Sequence, residues 1–310
     1  MENGYGSGRL WRLLSPLLFF WIIVFVGRYF AILFVQGRKL AGILQPYMPL
    51  TFGEIVEALS EIVPLYEREI EEYTLNYLPQ ILVFGILLTL IYSIYAFRKD
   101  RNEEKEAGPL LEKMPKLGQY FLIVGLVIVA SLGLNFILIM AGAAFPNLTY
   151  NQVAQATIYS APFWFQIVGF GLIAPVAEEF VFRGLIFKRF RETRSFVRSM
   201  LMSSLIFGVV HSNTVQLIYA TALGLLFAYA YERFGTLKAP ILLHVVANTL
   251  ALLMTNLNGF AWFFQSPMRL GATIVFCGFL SSTLFVLLQN TQIETKEMTN
   301  EPQKEVEKVE

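Results

Sequence analysis

Several residue types that commonly carry catalysis or bind metals are scarce in this chain. Its 310 residues include one cysteine, one aspartate and two histidines. Because Cys277 is the one cysteine, an intrachain disulfide framework and a zinc site built on thiolates are excluded. Because Asp100 is the one aspartate, and is expected in a loop, a pair of catalytic aspartates is excluded as well. The chain also lacks an H-E-x-x-H sequence, the usual pair of zinc-binding histidines on one helix.

Charged residues are also scarce, since they make up 15% of the chain against about 25% of a typical soluble domain. Apolar residues make up 55%, and the mean hydropathy is +0.56. Eight apolar segments approach the roughly 20 residues that a membrane-spanning helix needs. These segments are 13–35, 77–97, 119–145, 162–187, 196–213, 215–231, 239–256 and 270–289. The composition therefore predicts an all-α polytopic membrane protein with about eight transmembrane helices.

Basic residues predict which side of the membrane each loop occupies, because short cytoplasmic loops are enriched in lysine and arginine. The basic clusters at 98–101 and 188–194, together with Lys113 and Lys116, fall on one side of the predicted helices. Both termini are therefore expected in the cytoplasm, with the protein in the cell membrane of a bacterium or archaeon. The net charge of +1 gives no indication of a nucleic-acid partner.

The segments between the predicted helices divide the chain into three parts. Residues 1–118 comprise the first two transmembrane helices, an outer segment and a cytoplasmic loop. The outer segment, 53–74, is rich in glutamate and has apolar residues at helical spacing, so an amphipathic surface helix is predicted there. Residues 119–290 hold the remaining helices and the candidate site. Residues 291–310 are a charged cytoplasmic tail that is predicted to be disordered.

Ionisable residues inside apolar segments are the main functional signal, because charge within a membrane is costly and usually serves a function. The segment 162–187 contains the adjacent Glu178 and Glu179, followed by Arg183. On a helix Glu179 and Arg183 are four residues apart and pair on one face, whereas Glu178 lies about 100° around the axis. Pro175 is expected to loosen the helix just before this pair, so that a neighbouring helix must bond the freed carbonyl.

Both histidines also lie in apolar segments. His211 follows Phe207 by four residues, and His244 is followed one turn later by Asn248. A glutamate hydrogen-bonded with a histidine can hold and deprotonate a water molecule. A histidine and an asparagine on one helix face can donate two hydrogen bonds to a developing oxyanion. Together with the acid pair, these side chains indicate hydrolysis of a peptide bond inside the bilayer.

Structural interpretations of the same residues remain open from the sequence alone. The acid pair and Arg183 could form a buried ion pair that fixes helix packing, although this leaves one of the two carboxylates without a role. His211 could be an interfacial residue at a helix end. His244 and Asn248 could hydrogen-bond neighbouring helices, an interaction worth about 0.6 kcal/mol per bond.

The three motifs together resemble those of a known family. E-E-x-x-x-R at 178–183, F-x-x-x-H at 207–211 and H-x-x-x-N at 244–248 occur in this order on three hydrophobic segments. This arrangement resembles the CPBP family, the CAAX-prenyl-protease and bacteriocin-processing intramembrane endopeptidases, over roughly residues 160–260. The resemblance implies a glutamate-dependent protease. The roles that it implies are a general base at Glu178 assisted by His211, oxyanion donors at His244 and Asn248, and residues that shape the site at Glu179 and Arg183.

The resemblance also implies a membrane-embedded or lipidated peptide substrate, of CAAX type or otherwise, in contact with membrane lipid. Members are often labelled metalloproteases, yet no cofactor is expected, because a glutamate and a histidine can activate water without a metal. The alternative is zinc or another divalent metal held by Glu178, His211 and His244.

Two other functions remain open from the sequence. Intramembrane glutamate, histidine and arginine also line proton-coupled transporters, although no inverted repeat is evident. A relative of the same fold without catalytic activity would act as a scaffold or an immunity factor.

Overall fold

The structure is a computed structural model that describes residues 4–45, 51–108, 111–144, 154–211 and 214–297. These residues fold almost entirely into helices, joined at one end by two short strands. The helices are α1 (Gly4–Leu44), α2 (Phe52–Asn76), α3 (Leu78–Ala107), α4 (Leu117–Ala144), α5 (Phe163–Arg191), α6 (Phe196–Val209), α7 (Thr214–Phe234), α8 (Lys238–Asn256), α9 (Gly259–Phe264) and α10 (Pro267–Asn290), and the strands are β1 (Leu111–Met114) and β2 (Glu294–Glu297). A π-helical turn, Gln155–Tyr159, precedes α5.

Seven of the described helices are long and apolar enough to cross a membrane, namely α1, α3, α4, α5, α7, α8 and α10. The predicted all-α polytopic membrane fold is therefore confirmed. The predicted span at 196–213 is shorter than expected, because α6 has only 14 residues. At 1.5 Å per residue it is about 21 Å long, less than the hydrocarbon core of about 30 Å. The chain turns at Val210 and His211, so that α6 and α7 form a hairpin.

Small residues bring the two helices of this hairpin close together. A β-carbon added at Gly208 would lie 2.1 Å from the Thr221 Oγ1, so a larger residue would force the helices apart. Nearer the other end of the hairpin, a β-carbon at Gly224 would lie 3.1 Å from the Ser204 Cβ. This close packing fixes the turn that carries His211.

α5, which carries the acid pair, is not a regular α-helix. Its segments Ile167–Ile173 and Phe180–Phe187 are π-helical, and the α-helical segment Ala174–Glu179 lies between them. Short π-helical insertions are rare and occur frequently at functional sites. The two carboxylates therefore lie at a point where the helix changes its hydrogen-bonding pattern.

Pro175 accounts for one break in the hydrogen bonds of α5. In the preceding π-helical turn the Ala174 N–H bonds the Gly169 carbonyl, five residues earlier. Pro175 has no N–H with which to continue this pattern to the Phe170 carbonyl. The Asn248 Nδ2 on α8 donates to that oxygen at 3.1 Å, so a neighbouring helix satisfies the carbonyl as predicted.

The predicted amphipathic segment 53–74 is a helix, α2. Glu54 accepts hydrogen bonds from the Thr51 N–H and hydroxyl, which caps the start of α2. Lys39 on α1 pairs with Glu69 at 2.5 Å and holds the two helices together.

Asp100 lies in α3 and not in a loop, which corrects the expectation from the sequence. Its carboxylate accepts two hydrogen bonds from Arg189 of α5, at 2.8 and 3.1 Å, and both side chains are buried. Arg189 also donates to the Arg12 carbonyl of α1 at 2.6 Å. The helix continues past the apolar segment because its charged residues find partners, as Arg101 does with Glu104 one turn on.

The strands β1 and β2 form an antiparallel ribbon. The ribbon corrects the prediction of disorder for 291–310 over the four residues of β2, while 298–310 lie outside the described residues. Lys116 pairs with Glu294 at 2.7 Å across the ribbon. The pairing could not be predicted from the sequence, because β2 is charged and its partner strand is distant in the sequence.

Candidate active site

The adjacent glutamates of α5 lie in different surroundings. The Glu179 side chain is 0% exposed, whereas the Glu178 side chain is 15% exposed and borders a cavity. Successive residues on a helix point about 100° apart, so the two carboxylates face different neighbours.

Glu179 binds two partners through one oxygen. Its Oε1 accepts a hydrogen bond from the Arg183 Nη1 at 3.0 Å and lies 2.8 Å from the His244 Nδ1. A carboxylate can only accept, so the His244 Nδ1 carries the hydrogen of this bond. The Arg183 Nη2 also donates to the Gly224 carbonyl at 3.1 Å, which connects α5 with α7 and α8.

Two phenylalanines enclose Arg183 and His244. The guanidinium carbon of Arg183 lies 4.4 Å from the centre of the Phe207 ring and 5.3 Å from that of Phe227. The Phe227 ring stacks on the His244 ring at 4.8 Å, and the Phe207 ring meets it edge-on at 5.6 Å. Each contact between the desolvated Arg183 guanidinium and a phenylalanine ring contributes about 2 kcal/mol.

The sequence alone does not identify Gly224 and Phe227 as residues of the site. They are three residues apart on α7 and therefore lie on one helix face, next to Arg183. A β-carbon at Gly224 would lie 3.0 Å from the Arg183 Nη2, so the glycine leaves room for the guanidinium. Their three-residue spacing could have indicated a shared helix face, but an apolar helix contains many pairs of residues at this spacing.

His244 connects the two carboxylates. Its Nε2 lies 3.7 Å from the Glu178 Oε2, longer than a direct hydrogen bond but within ion-pair range. The cluster contains two carboxylates and the Arg183 guanidinium, so one further proton shared by Glu178 and His244 makes it neutral. Neutrality favours burial, because an uncompensated charge in a low dielectric is costly.

His211 lies at the turn after α6, with its ring edge-on to Phe207 at 4.9 Å. Its Nδ1 is 2.7 Å from the Phe207 carbonyl oxygen. Because a carbonyl only accepts, Nδ1 carries the hydrogen of this bond, and in the neutral ring Nε2 has the lone pair. His211 lines the same cavity as Glu178 and can accept a proton there.

Asn248 lies one turn after His244 and also lines the cavity. One of its two amide N–H groups is engaged with the Phe170 carbonyl. The other is left for a ligand in the cavity. The structure thus joins Glu178, Glu179, Arg183 and His244 by direct contacts, and it places His211 and Asn248 on the same cavity with backbone partners of their own.

The cavity has a volume of about 570 Å³, within the usual range for ligand sites. Glu178, His211, His244 and Asn248 contribute polar groups to its wall. Much of the remaining wall is apolar. Six further polar side chains also line the cavity, namely Asn135, Gln155, Tyr159, Gln216, Tyr219 and Thr255.

The donor set does not fit a metal ion. Within the part of the chain that the structure describes, no group of three or more His, Cys, Asp or Glu side chains could hold one. Glu178, His211 and His244, the alternative set of metal ligands, do not form such a group.

Comparison with known proteins supports the resemblance that the motifs indicate. Residues 160–250 match the family model described as type II CAAX prenyl endopeptidase Rce1-like. The predicted resemblance to CAAX-type intramembrane peptidases is therefore confirmed over this segment, which holds all six candidate residues.

Three curated relatives are similar over about the same length. The "Putative membrane peptidase YdiL" of Bacillus subtilis (strain 168) is 36% identical over 88 residues, 28% of this chain and 36% of that protein. An "Uncharacterized 24.3 kDa protein" of Escherichia coli is 37% identical over 87 residues, 26% of this chain and 40% of that protein. The "Membrane-embedded CAAX protease MroQ" of Staphylococcus aureus (strain USA300) is 30% identical over 93 residues, 28% of this chain and 38% of that protein. The chain thus spans less than half the length of these relatives, and no solved structure matches it.

Proposed function

We propose that this integral membrane protein is an intramembrane endopeptidase in which Glu178 activates the water that hydrolyses a peptide bond. The observation that carries the proposal is that the two adjacent glutamates lie in different surroundings. Glu178 borders the cavity, whereas Glu179 is buried against Arg183 and His244. The match of residues 160–250 to a CAAX endopeptidase model supports the same reaction class.

The reaction begins when a water molecule in the cavity gives a proton to Glu178 and attacks the carbonyl carbon of the scissile bond. A C–O bond forms, and the carbonyl electron pair moves to its oxygen to give a tetrahedral oxyanion. His211 assists, because its Nε2 can accept a hydrogen bond from the same water. Glu178 then gives the proton to the leaving nitrogen, the C–N bond breaks, and an acid and an amine are released.

Two N–H groups stabilise the oxyanion in this mechanism. One is the His244 Nε2–H, present when the ring holds the extra proton of the cluster. The other is the second amide N–H of Asn248. Removing one such donor from a hydrolase site costs about 2.7–4 kcal/mol of transition-state stabilisation.

Glu179 and Arg183 act as positioning residues. Glu179 holds the His244 Nδ1 and thereby fixes the direction of the Nε2 toward the cavity. Arg183 is held between two rings and the Gly224 carbonyl, so it keeps Glu179 in place. No step of this mechanism uses a metal.

The proposed substrate is a membrane-embedded or prenylated, CAAX-type peptide held by lipid and by the largely apolar cavity. The proposed localisation is the cell membrane, with both termini in the cytoplasm. The test is cleavage in detergent of quenched peptides, with and without a prenyl group, by wild-type protein with and without a chelator.

Glu178→Gln is the decisive variant, and Glu192→Gln, which changes an exposed acid beyond the end of α5, is its control. We expect cleavage that the chelator leaves unchanged, a loss of about 10²- to 10⁴-fold for Glu178→Gln, and no loss for the control. Loss of cleavage with the chelator would contradict the metal-free mechanism. A wild-type protein that cleaves none of the peptides would instead favour a scaffold or immunity factor.

A further inference from the structure

We infer that a second pocket, at the ends of α7 and α10, binds the phosphate group of an anionic phospholipid. This pocket has a volume of about 530 Å³, within the usual range for ligand sites. Its wall comes from β1, α6, α7 and the segment between α10 and β2, and it includes Lys113, Arg233 and Ile293. We call it the ribbon pocket, because it adjoins the ribbon of β1 and β2. It shares no residue with the cavity of the candidate active site, so the inference is independent of the proposed function.

Arg233 contributes a guanidinium group that is held in place at the wall of the ribbon pocket. Its Nη2 donates to the Leu288 carbonyl at 2.8 Å and to the Thr291 hydroxyl at 3.3 Å, and it also bonds the Thr291 carbonyl. These bonds fix the side chain of Arg233 against the end of α10. A guanidinium carries donors on three nitrogens, so the N–H groups of Nη1 are left for a ligand.

Lys113 of β1 contributes an ammonium group to the same pocket. Its Nζ donates to the Glu232 carbonyl near the end of α7. Gly235 follows α7 with a φ of +69°, a left-handed conformation that favours glycine, and a β-carbon there would lie 3.1 Å from the Lys113 Cγ. The glycine therefore leaves room for the aliphatic part of the lysine. An ammonium group has three N–H donors, and the carbonyl accepts from one of them, so the others can bind a ligand.

The ribbon pocket has an excess of positive charge. The one acid in its described wall, Glu232, is paired with Arg191, whose Nη2 lies 2.9 Å from the Glu232 Oε1. Neither Lys113 nor Arg233 forms an ion pair with a described residue. The carbonyls that they bond lie at helix ends, which carry about half a negative charge each and offset only part of the two cations. A phosphodiester has one negative charge and would bring the sum close to zero.

The position of the ribbon pocket favours a membrane lipid over a dissolved anion. α7 and α10 are long and apolar enough to span the membrane, and the pocket lies where both helices end. The polar headgroups of lipids lie just beyond the hydrocarbon core, at the depth where spanning helices end. Basic pockets between spanning helices bind the headgroups of acidic lipids. α10 also exposes large apolar side chains, including Phe279 and Val286, against which acyl chains can pack.

The inference is tested by thermal unfolding of the full chain in detergent with increasing amounts of one added compound. The compounds are dioleoyl-phosphatidylglycerol, which is anionic, dioleoyl-phosphatidylcholine, which is zwitterionic, and inorganic phosphate. A ligand that binds only the folded state raises the unfolding temperature as its concentration increases, and this dependence gives the affinity. The measurement needs no catalysis, so its outcome does not depend on whether the protein is a protease.

We expect phosphatidylglycerol to raise the unfolding temperature at lower concentrations than phosphatidylcholine, and inorganic phosphate to leave it unchanged. Lys113→Gln and Arg233→Gln should each weaken the binding of phosphatidylglycerol by about fivefold, the contribution of one cation near an anionic membrane surface. Lys99→Gln and Arg198→Gln are the matched controls, because they remove exposed cations outside the pocket, and both should bind the lipid as the wild type does.

Equal effects of the two lipids on the wild-type protein would overturn the inference, and so would an effect of inorganic phosphate as large as that of phosphatidylglycerol. Unchanged affinity in Lys113→Gln would also overturn it. An equal loss of affinity in Lys99→Gln would show a general attraction to basic residues and no specific site. If Arg233→Gln does not fold because α10 loses its contact, Lys113→Gln and the comparison of the two lipids on the wild type still decide the question.

Discussion

At the scale of single residues, the surroundings of Glu178 and Glu179 give the two side chains different tasks. Glu179 has two partners in a buried group, whereas Glu178 borders the cavity and lies 3.7 Å from the His244 Nε2. A buried ion pair is stabilising only while both partners are present, since removal of one leaves the other as an uncompensated charge. Stability and catalysis should therefore respond differently to the same change at the two positions.

Glu179→Gln is expected to destabilise the protein by about 3–5 kcal/mol, because Arg183 would remain charged and buried without its anion. Glu178→Gln is expected to leave stability near the wild-type value, because its carboxylate borders the cavity and makes no direct hydrogen bond with another described residue. The measurement is thermal unfolding of both variants in the same detergent. Equal shifts of the unfolding temperature would contradict the assignment of the two roles.

The candidate residues could be found from the sequence because ionisable groups are conspicuous in apolar segments. Glu178, Glu179, Arg183 and His244 meet as a group, and His211 and Asn248 line the same cavity. The aromatic enclosure could not be found in this way. Phe227 is one of 28 phenylalanines, and nothing in the sequence distinguishes it from those that face lipid.

At the scale of elements, the α6–α7 hairpin sets the position of His211 through the contact of Gly208 with Thr221. Gly208→Ala is expected to destabilise the protein by about 1–3 kcal/mol through overpacking and to reduce cleavage by displacing His211. Gly278→Ala is the matched control, because a β-carbon there meets no atom within 4 Å. Unfolding and cleavage assays of both variants check this, and a Gly208→Ala protein with wild-type cleavage would contradict it.

The contact between α5 and α8 allows a test of the role of Asn248. Asn248→Ala is expected to cost about 1 kcal/mol of stability, because the Phe170 carbonyl loses its donor. In a Pro175→Ala background the cost should fall, since the restored N–H at position 175 can bond that carbonyl.

A double-mutant cycle of unfolding free energies measures this coupling. Cleavage by the double variant separates the two roles of the amide. Recovery of stability without recovery of cleavage is expected if Asn248 also serves as an oxyanion donor. Recovery of both stability and cleavage would show that Asn248 has a structural role and is not an oxyanion donor.

The ribbon of β1 and β2 should respond to pH. The hydrogen bond from Lys116 lowers the pKa of Glu294 and raises that of Lys116. A lowered acid pKa contributes stability above the unfolded pKa of the glutamate and loses it as the pH falls through the folded pKa. Hydrogen exchange at β2, corrected for the intrinsic rate, should therefore show less protection in acid. Glu294→Gln should abolish this dependence, and a variant with unchanged pH dependence would refute it.

The elements themselves were predictable to different degrees. The spanning helices could be predicted from long apolar runs, because length and hydropathy alone decide whether a helix can cross a membrane. The early end of α6 was not predicted, since the apolar run continues to Val210 and the close approach of Gly208 to Thr221 is a tertiary contact. β2 was not predictable because its stability comes from a distant strand.

At the scale of the whole molecule, the basic residues that follow α3 and α5 lie at one end of the helices, the basic end, whereas the cavity extends from the acid pair toward the other end. Charged partners such as Asp100 and Arg189 tie α1, α3 and α5 together at the basic end, while the cavity opens among α4, α5, α7 and α8. This arrangement places Glu178, which borders the cavity, among the spanning helices, as the proposed hydrolysis of a membrane-held peptide requires.

The most direct test of the account is the rate of peptide cleavage per folded molecule for Glu178→Gln, with folding judged by the unfolding temperature. The account predicts a protein that unfolds like the wild type and cleaves about 10²- to 10⁴-fold more slowly. A folded Glu178→Gln protein that cleaves at the wild-type rate would contradict it.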